Sequence, residues 1–400
     1  MKQHPTEHDP QPSLYKLIVY LTQDCNLACR HCWVSAKLST RRNYELMTIN
    51  EYRRVLEDAL RCGLRTLTIT GGEPLLYKHL TLDLIMLANS LGVRTQLETN
   101  GTLIDQEIIN ALKRTDTSVA ISLDGSYAEL HEGIRMVKGC FDAAIKGMQL
   151  AHSQGIGIEI IMALYRRNQA DLLGLLRLVS GLQRGILKIN PITAMGRGQI
   201  MASRGELLSV LELKEFLATL ERESLRMKVH TMIMCEPAFY RLSSIVRHYT
   251  GCPGCGFRNI LGILADGQIS LCGIGYSVPG YTFGNIRDVA LEAVWRDHPA
   301  LQELRRGIPE RLEGVCSNCM MLRICEGGCR AHAYMRFGSM TAPSPNCQAL
   351  YDAGSFPASR LIDQGRATPW PPRRTALPKC FTSPLRQPVT QKDTTVAESA

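Results

Sequence analysis

The 400-residue sequence lacks the features that mark several common classes of protein. No apolar run approaches the ~18 residues of a membrane-spanning helix, and residues 1–14 lack the apolar stretch of a signal peptide. The net charge is +9, but the basic residues form no cluster, and only 3 tryptophans and 8 phenylalanines are present. We therefore predict a cytoplasmic protein that binds neither a membrane nor a nucleic acid.

Cysteine, in contrast, is abundant, with 15 residues in the chain. Disulfides do not persist in a reducing compartment, so metal or redox chemistry is the leading explanation for so many cysteines. Hydrophobic residues make up 45% of the chain and charged residues 21%. These are ordinary globular values, and they exclude a disordered or fibrous chain.

Between residues 16 and 192, short β-rich runs alternate with amphipathic helical segments. The predicted strands cover residues 16–21, 65–70, 93–98, 118–123, 156–164 and 186–192. This alternation predicts an α/β fold with parallel strands, either a barrel or an open doubly wound sheet. Such folds place their chemistry at the carboxyl ends of the strands, so the residues that follow each strand are the candidate site.

The chain divides into five predicted regions. They are a flexible N-terminus (1–14), the strand–helix domain (15–200), a helical connector (201–250), a cysteine-rich domain (251–352) and a disordered tail (353–400). The cysteine-rich domain has too few aliphatic residues for a large core of its own. Bound metal would therefore supply part of its stability.

Three cysteines, Cys25, Cys29 and Cys32, follow the first predicted strand with the spacing C-x3-C-x2-C. Zinc sites close with four ligands, so three thiolates in one loop fit zinc poorly. Three cysteines on a [4Fe–4S] cluster leave one iron without a protein ligand, where a small molecule can coordinate. The alternative is three unrelated buried thiols that share this spacing by accident.

This loop resembles the signature of radical S-adenosylmethionine (SAM) enzymes, C-x3-C-x-aromatic-C, with His31 at the aromatic position. The resemblance implies a partial (β/α)6 TIM-like barrel followed here by a C-terminal cysteine-rich iron–sulfur domain. It also implies that the open iron binds the amino and carboxylate groups of SAM. Reductive cleavage of SAM would then give a 5′-deoxyadenosyl radical that abstracts a hydrogen atom from the substrate.

The second predicted strand leads into GGEP, residues 71–74. Two glycines let a backbone approach a ligand closely. By resemblance, Gly71, Gly72 and Glu73 hold the amino group of SAM. On its own, GGEP would be an ordinary turn, and it gains meaning from following the cysteine loop.

Two further strand ends carry predicted SAM contacts. By resemblance, Thr99 and Asn100 contact the ribose, and Ser122 and Arg135 face the carboxylate, a suitable role for a guanidinium. Local turn capping is the alternative for Thr99, Asn100 and Ser122. The GRG sequence at 196–198 is too short to assign.

A second group of cysteines lies downstream, with the spacing C-x2-C, G-x4-C, C-x2-C-x5-C-x3-C and a final cysteine. Its members are Cys252, Cys255, Cys272, Cys316, Cys319, Cys325, Cys329 and Cys347. Eight thiolates make two four-thiolate sites, and a pair of zinc sites is the alternative to iron–sulfur clusters.

This run resembles the SPASM extension of radical SAM enzymes, which implies two auxiliary [4Fe–4S] clusters and three clusters in all. By resemblance, the inner cluster takes Cys252, Cys255, Cys272 and Cys329. The outer cluster takes Cys316, Cys319, Cys325 and Cys347. The remaining Cys62, Cys140, Cys235 and Cys380 are predicted to be small hydrophobic residues.

The resemblance implies a maturase that oxidatively modifies a ribosomally made peptide, with electrons from a flavodoxin- or ferredoxin-type donor. Only 24 residues precede Cys25, so we expect a separate precursor-binding protein or direct docking on the barrel mouth and connector. Sulfatase-maturing members carry an aspartate base after the G-x4-C cysteine, where this chain has Gly273, which argues against formylglycine formation. A small-molecule or cofactor precursor is the alternative substrate, and a non-catalytic metal-binding protein is the remaining alternative.

Overall fold

In the computed structural model, which describes residues 12–38, 44–182, 185–241 and 254–363, ten strands pair into one sheet. Its order is β10-β9-β8-β1-β2-β3-β4-β5-β6-β7. Strands β1 to β8 are parallel, and β9 and β10 are antiparallel to their neighbours. The strands are β1 (Lys16–Tyr20), β2 (Thr66–Thr70), β3 (Arg94–Thr99), β4 (Thr117–Ser122), β5 (Ile158–Leu164), β6 (Ile186–Pro191), β7 (His230–Ile233), β8 (Ile260–Ile263), β9 (Gln268–Ser270) and β10 (Thr282–Asn285).

Helices connect the parallel strands and continue through the cysteine-rich region. They are α1 (Ile49–Arg61), α2 (Lys78–Ser90), α3 (Gln106–Lys113), α4 (Ala128–Arg135), α5 (Cys140–Ser153), α6 (Leu172–Ser180), α7 (Gly198–Ser203), α8 (Val210–Met227), α9 (Leu291–Asp297), α10 (Pro299–Gly307), α11 (Leu322–Cys325), α12 (Arg330–Phe337) and α13 (Pro345–Asp352). None of the helices in the described ranges is long and apolar enough to cross a membrane.

Local sequence explains the boundaries of α1. The Thr48 side chain accepts a hydrogen bond from the backbone N–H of Glu51, and the Glu51 carboxylate accepts one from the backbone N–H of Thr48. This capping box starts the helix. Gly63, at φ +100°, ends it by adopting a left-handed conformation that most residues avoid.

The strands have one apolar face and one mixed face. Leu97 and Leu187 are fully buried in the main core together with the helices. Their neighbours Glu98 and Lys188 lie on the opposite face because side chains alternate along a strand. There Lys188 forms ion pairs with Glu98 at 3.8 Å and Glu159 at 3.6 Å.

The structure contains all six predicted strands, each within two residues of its predicted ends. The connector was predicted to be helical, and this is incomplete, because β7 lies inside it and extends the parallel sheet beside β6. A strand of only four residues, two of them polar, gives a weak pattern directly after the long helix α8.

Two predicted boundaries also differ from the structure. Strand β8 of the cysteine-rich region pairs with β1, so the two predicted domains share one sheet. The predicted tail begins at residue 353, yet the chain remains folded through residue 363. Arg360 is 2% exposed and donates to the carbonyl of Tyr240 at 2.8 Å, which holds this segment against the protein.

Candidate active site and cluster sites

The predicted SAM-cluster cysteines lie together in the loop after β1. The backbone N–H of Leu27 donates to Cys25 Sγ at 3.4 Å, and that of Ala36 donates to Cys32 Sγ at 3.3 Å. Burial raises the pKa of Cys25 to about 12. A thiolate here therefore needs a positive partner beyond the protein's own N–H groups, and a bound metal cluster supplies one.

Arg135 lies beside Cys29, the middle cysteine of this loop. Its Nε donates to Asp124 Oδ2 at 2.6 Å, and its Nη1 is 3.7 Å from Cys29 Sγ. Burial alone would raise the pKa of Asp124, but the neighbouring Arg135 holds it below its usual value. The guanidinium is thus at the cysteine loop, with Asp124 as a buried partner not identified from the sequence, and its contact with the SAM carboxylate stays a prediction. Ser122, at the end of β4, is partly exposed.

Glu73 is fully buried, and its carboxylate has three internal donors. Oε1 accepts from Thr99 Oγ1 at 2.7 Å and from the N–H of Leu75 at 3.0 Å, and Oε2 accepts from the N–H of Asn100 at 2.8 Å. Burial raises the pKa of Glu73. The carboxylate therefore joins the ends of β2 and β3, and with about four acceptor positions it retains one for a ligand.

Gly71 and Gly72 let the backbone approach the cysteine loop. A Cβ on Gly72 would lie 2.0 Å from the carbonyl oxygen of Asp24, and one on Gly71 would lie 2.5 Å from that of Thr22. The N–H of Gly72 donates to the Thr22 carbonyl at 2.6 Å. No side chain larger than hydrogen fits at either position.

Asn100 also connects to the cysteine loop. Its Nδ2 donates to Asn26 Oδ1 at 2.8 Å, and its Oδ1 accepts from the N–H of Thr102 at 3.0 Å. Thr99 Oγ1 accepts from the N–H of Gly101 at 3.0 Å. Both predicted ribose contacts thus have the turn-capping role that was the alternative, and their contact with SAM stays a prediction.

The GRG sequence, left unassigned from the sequence, lies against the same loop. The N–H of Arg197 donates to the Cys32 carbonyl at 3.0 Å, and a Cβ on Gly196 would lie 2.4 Å from the Trp33 carbonyl. Within the described residues, Arg197 Nε and Nη2 and His31 Nδ1 are buried without a hydrogen-bond partner. Burial lowers the pKa of His31 to about 4. Unpartnered buried donors beside Cys32 fit a polar, anionic ligand such as the SAM carboxylate.

The four predicted outer-cluster cysteines border one pocket, together with Glu236 after β7. They are Cys316, Cys319, Cys325 and Cys347. The N–H of Ser344 donates to Cys316 Sγ at 3.3 Å, and burial raises the pKa of Cys316 to about 11. In the part of the chain that the structure describes, no three His, Cys, Asp or Glu residues form a site for a single metal ion.

Three predicted inner-cluster cysteines form a second group, and Cys252 lies outside the described residues. Cys255, Cys272 and Cys329 are within electrostatic range of one another. Cys329 is exposed, and burial of its surroundings still raises the pKa of its thiol. The structure thus brings Cys329 near Cys255 and Cys272, and that these thiols hold one cluster stays a prediction.

The start of α12 lies at this inner group, with Cys329 at its N-cap. Backbone N–H groups there oppose the rise in thiol pKa that burial causes: that of Arg330 lowers the pKa of Cys255, and those of His332 and Ala331 lower the pKa of Cys329. Helix N-termini stabilise negative charge, so this helix favours both sulfurs as thiolates.

Gly273 lies where the loop after β1 that carries Cys25, Cys29 and Cys32, here called the barrel loop, contacts the inner group. A Cβ on Gly273 would lie 2.7 Å from the Trp33 ring and 2.9 Å from Tyr20 Oη, and its N–H donates to Tyr20 Oη at 2.8 Å. Trp33 follows Cys32, and Gly273 follows Cys272, so the two cysteine sites adjoin here. The two aromatic rings occupy the space that an aspartate at 273 would need.

Comparison with known proteins agrees with both parts of this site. The Radical SAM superfamily model matches residues 19–179, and the SPASM iron-sulfur cluster-binding domain model matches residues 252–320. These matches identify the chain as a radical SAM enzyme with a SPASM domain, which confirms the family resemblance. The large parallel sheet and the cysteine-rich C-terminal region confirm the fold class.

The similar proteins include a heme synthase and a mycofactocin maturase. The chain is 27% identical to an AdoMet-dependent heme synthase of Oleidesulfovibrio alaskensis, covering 86% of this chain and 89% of that protein. It is 26% identical to the mycofactocin maturase MftC of Mycobacterium tuberculosis, covering 92% and 91%. The crystal structure of Streptococcus suis SuiB bound to S-adenosylmethionine has the same fold, with a TM-score of 0.68 and 20% identity over 84% of this chain and 78% of SuiB.

Proposed function

We propose that this radical SAM enzyme oxidatively modifies a ribosomally made peptide, forming a cross-link or another C–H modification. It uses three [4Fe–4S] clusters and SAM, and a flavodoxin- or ferredoxin-type protein donates the electrons. When bound, the clusters supply the electron that cleaves SAM and accept the electron that the oxidised substrate releases. The residues proposed to hold them are the eleven cysteines of the sequence analysis.

The observation that carries the peptide substrate is the open side of the sheet. Among the described residues, β7 is the last strand of the sheet and pairs with β6, so these parallel strands do not close into a full barrel. Exposed apolar side chains lie on or beside the adjoining connector, at Ile200, Leu211, Leu225 and Met234. An open edge flanked by apolar side chains suits an extended peptide better than a closed barrel would.

The surroundings of Gly273 limit the chemistry of the product. Formylglycine formation uses an aspartate base at this position, according to the resemblance to sulfatase-maturing enzymes. Here Tyr20 and Trp33 fill that space. The proposed reaction is therefore one that takes no proton acceptor from position 273.

A second candidate is oxidation of a haem-type cofactor precursor. The heme synthase relative favours it, because the match covers 86% of this chain. Its 27% identity does not separate it from the 26% identity to the peptide maturase MftC. The substrate class therefore needs a direct experiment.

The test presents both substrate classes to the anaerobically reconstituted protein with SAM and a reductant. One reaction receives the short peptides encoded beside its gene, and the other receives an iron–porphyrin carboxylic acid. Mass spectrometry records loss of hydrogen from the peptide or conversion of the porphyrin, and 5′-deoxyadenosine is measured in both. Peptide oxidation supports the proposal. Porphyrin conversion with unchanged peptides would establish the second candidate instead.

A further inference from the structure

Arg330 is a fully buried cation whose side chain is held by carbonyl groups. Its Nη1 donates to the carbonyls of Met340 at 2.9 Å and Ala342 at 2.6 Å, its Nη2 donates to that of Gly327, and its Nε is 3.4 Å from that of Gly328. Within the described ranges, no carboxylate lies within ion-pair distance of this guanidinium. Buried charges are normally paired with an opposite charge, so Arg330 needs an anion that these carbonyls do not provide.

Two kinds of anionic group lie near it: the cysteine sulfurs, and the buried carboxylate of Glu236, which is 3.0 Å from the Cβ position of Gly328. Arg330 directly follows Cys329 of the inner group, and Gly327, whose carbonyl accepts from Arg330 Nη2, borders the pocket of the four outer cysteines. Burial raises the pKa of the thiols in both groups. The charge of Arg330 opposes that rise at Cys255 and Cys329, and also at Cys316 and Cys325 of the outer group.

We propose that Arg330 is a counter-cation shared by the two auxiliary clusters, and that it sets both of their reduction potentials. Thiolate-bound clusters are anionic, and reduction adds a further negative charge. A buried cation nearby stabilises the reduced form more than the oxidised form, because charges interact strongly at low dielectric constant. This inference rests on the two-cluster part of the proposed function and is independent of the substrate.

The opposing explanation is that the guanidinium only joins the loop at 327–328 to the loop at 340–342. Under that explanation the hydrogen bonds of the planar guanidinium stabilise the fold, and its positive charge has no effect on the clusters. Replacement of Arg330 would then reduce stability or iron content without a common change in the two potentials. The two explanations therefore differ in a spectroscopic readout.

The experiment measures both potentials in the full chain carrying alanine at Cys25, Cys29 and Cys32, so that the auxiliary clusters alone contribute. Potentiometric titration followed by EPR gives one potential for each cluster, and an added Cys347→Ala identifies the outer signal. For Arg330→Gln we expect both potentials to become more negative. A tenfold change in the one-electron reduction equilibrium, which corresponds to 59 mV, is the expected scale at each cluster.

Two variants provide matched controls. Arg360 is 2% exposed and lies beside Cys319, so Arg360→Gln is expected to lower the outer potential alone. Arg330→Lys keeps the positive charge but loses the planar guanidinium. Both potentials are therefore expected to equal those of the parent protein within experimental scatter. Together they separate charge from position.

Three results would overturn the inference. The first is an Arg330→Gln protein with full iron in which either potential is unchanged. The second is equal loss of iron from the Gln and Lys variants, which would indicate a purely structural role of the guanidinium. The third is loss of one cluster alone from the Gln variant. Loss of both clusters from the Gln variant with retention in the Lys variant would support the shared-cation role. None of these results depends on whether a peptide or a porphyrin is the substrate.

Discussion

The loop after β1 and the cysteine-rich region both gather buried thiols, but they balance charge differently. At the barrel loop, Arg135 beside Cys29 has Asp124 as its ion-pair partner, so its charge is compensated by the protein itself. In the cysteine-rich region, the Arg330 guanidinium donates to carbonyl groups and has no ion pair among the described residues. We therefore expect the barrel end to remain folded without its cofactor and the cysteine-rich region to depend on metal for its charge balance.

Removal of iron is expected to produce the largest difference in stability between the two regions. Anaerobic chelation should leave α1 and α2 protected from hydrogen exchange, while amides in 254–363 lose protection by ~100-fold or more, because metal binding contributes directly to folding. Hydrogen exchange followed by mass spectrometry measures both regions in one sample. Equal loss of protection in both regions would contradict the contrast.

Single cysteine variants should show which cysteines the bound iron of this region depends on. Cys347→Ala and Cys329→Ala are each expected to lose about a third of the bound iron, one cluster of three. Cys329→Ala should also lower the melting temperature more, because Cys329 is the N-cap residue of α12. Iron and sulfide analysis measures the loss. Cys62, buried outside both groups, is the control, and Cys62→Ala should keep full iron. A Cys347→Ala protein with undiminished iron would refute the two-cluster wiring.

Gly273→Asp tests the contact between the two regions. The new side chain meets Trp33 and Tyr20, so we expect a loss of ~1–3 kcal/mol from overpacking alone. Denaturant unfolding measures it, and an added Trp33→Ala should restore part of the stability. Gly157 has nothing within 4 Å of its Cβ position, so Gly157→Ala is the matched control. Unchanged stability of Gly273→Asp would show that the aromatic rings can move aside.

Glu73→Gln distinguishes a ligand contact from a structural bridge at the barrel end. A glutamine cannot accept from all three donors of Glu73, so we expect a loss of ~1–3 kcal/mol in stability without SAM present. Thermal unfolding and the SAM dissociation constant are measured together. Glu107, an exposed carboxylate on α3, provides the control variant Glu107→Gln. A weaker SAM affinity with unchanged stability would instead show that Glu73 acts only as a ligand contact, as expected from the sequence.

The smallest expected effect concerns an ion pair on the barrel surface. The hydrogen bond from Arg166, with those from Ser209, lowers the pKa of Glu212 to about 2, below the ~4.3 of an unfolded chain. Its stabilisation is therefore complete above the unfolded pKa and is lost as the pH falls from about 4 towards 2. Because the pair is exposed, Glu212→Gln should cost less than ~1 kcal/mol. The pH dependence of unfolding should be the same with and without iron, and a difference between them would show coupling to the cysteine-rich region.

The sequence was sufficient to predict the strands and the cysteine motifs, because both are local patterns, whereas the division of the downstream cysteines into two groups came from the family resemblance. Strand β7 was missed because four residues carry too little periodicity. The fixed spacing around Cys25 and Cys316 also needed no tertiary information. In contrast, Glu73 accepts a hydrogen bond from Thr99 of β3, and Arg330 donates to carbonyls of a separate loop at 340–342.

Such contacts join residues distant in sequence, so a single sequence does not indicate whether a buried charge already has a partner. The GRG sequence at 196–198 is an intermediate case. The sequence indicated its position after the sixth strand but did not indicate its contact with Cys32. A search for glycine-flanked arginines at strand ends would have selected it.

Pairing of β8 with β1 also fixes a distance. Cys272 follows β9, and β9 is two strand spacings, about 10 Å, from the strand that leads into Cys25. A hydrogen-bonded sheet deforms little, so the interval between the barrel loop and the inner cysteine group should be the same before and after substrate enters. Electron exchange between them would then have a constant path length, and substrate preference could change through the surrounding loops without altering it.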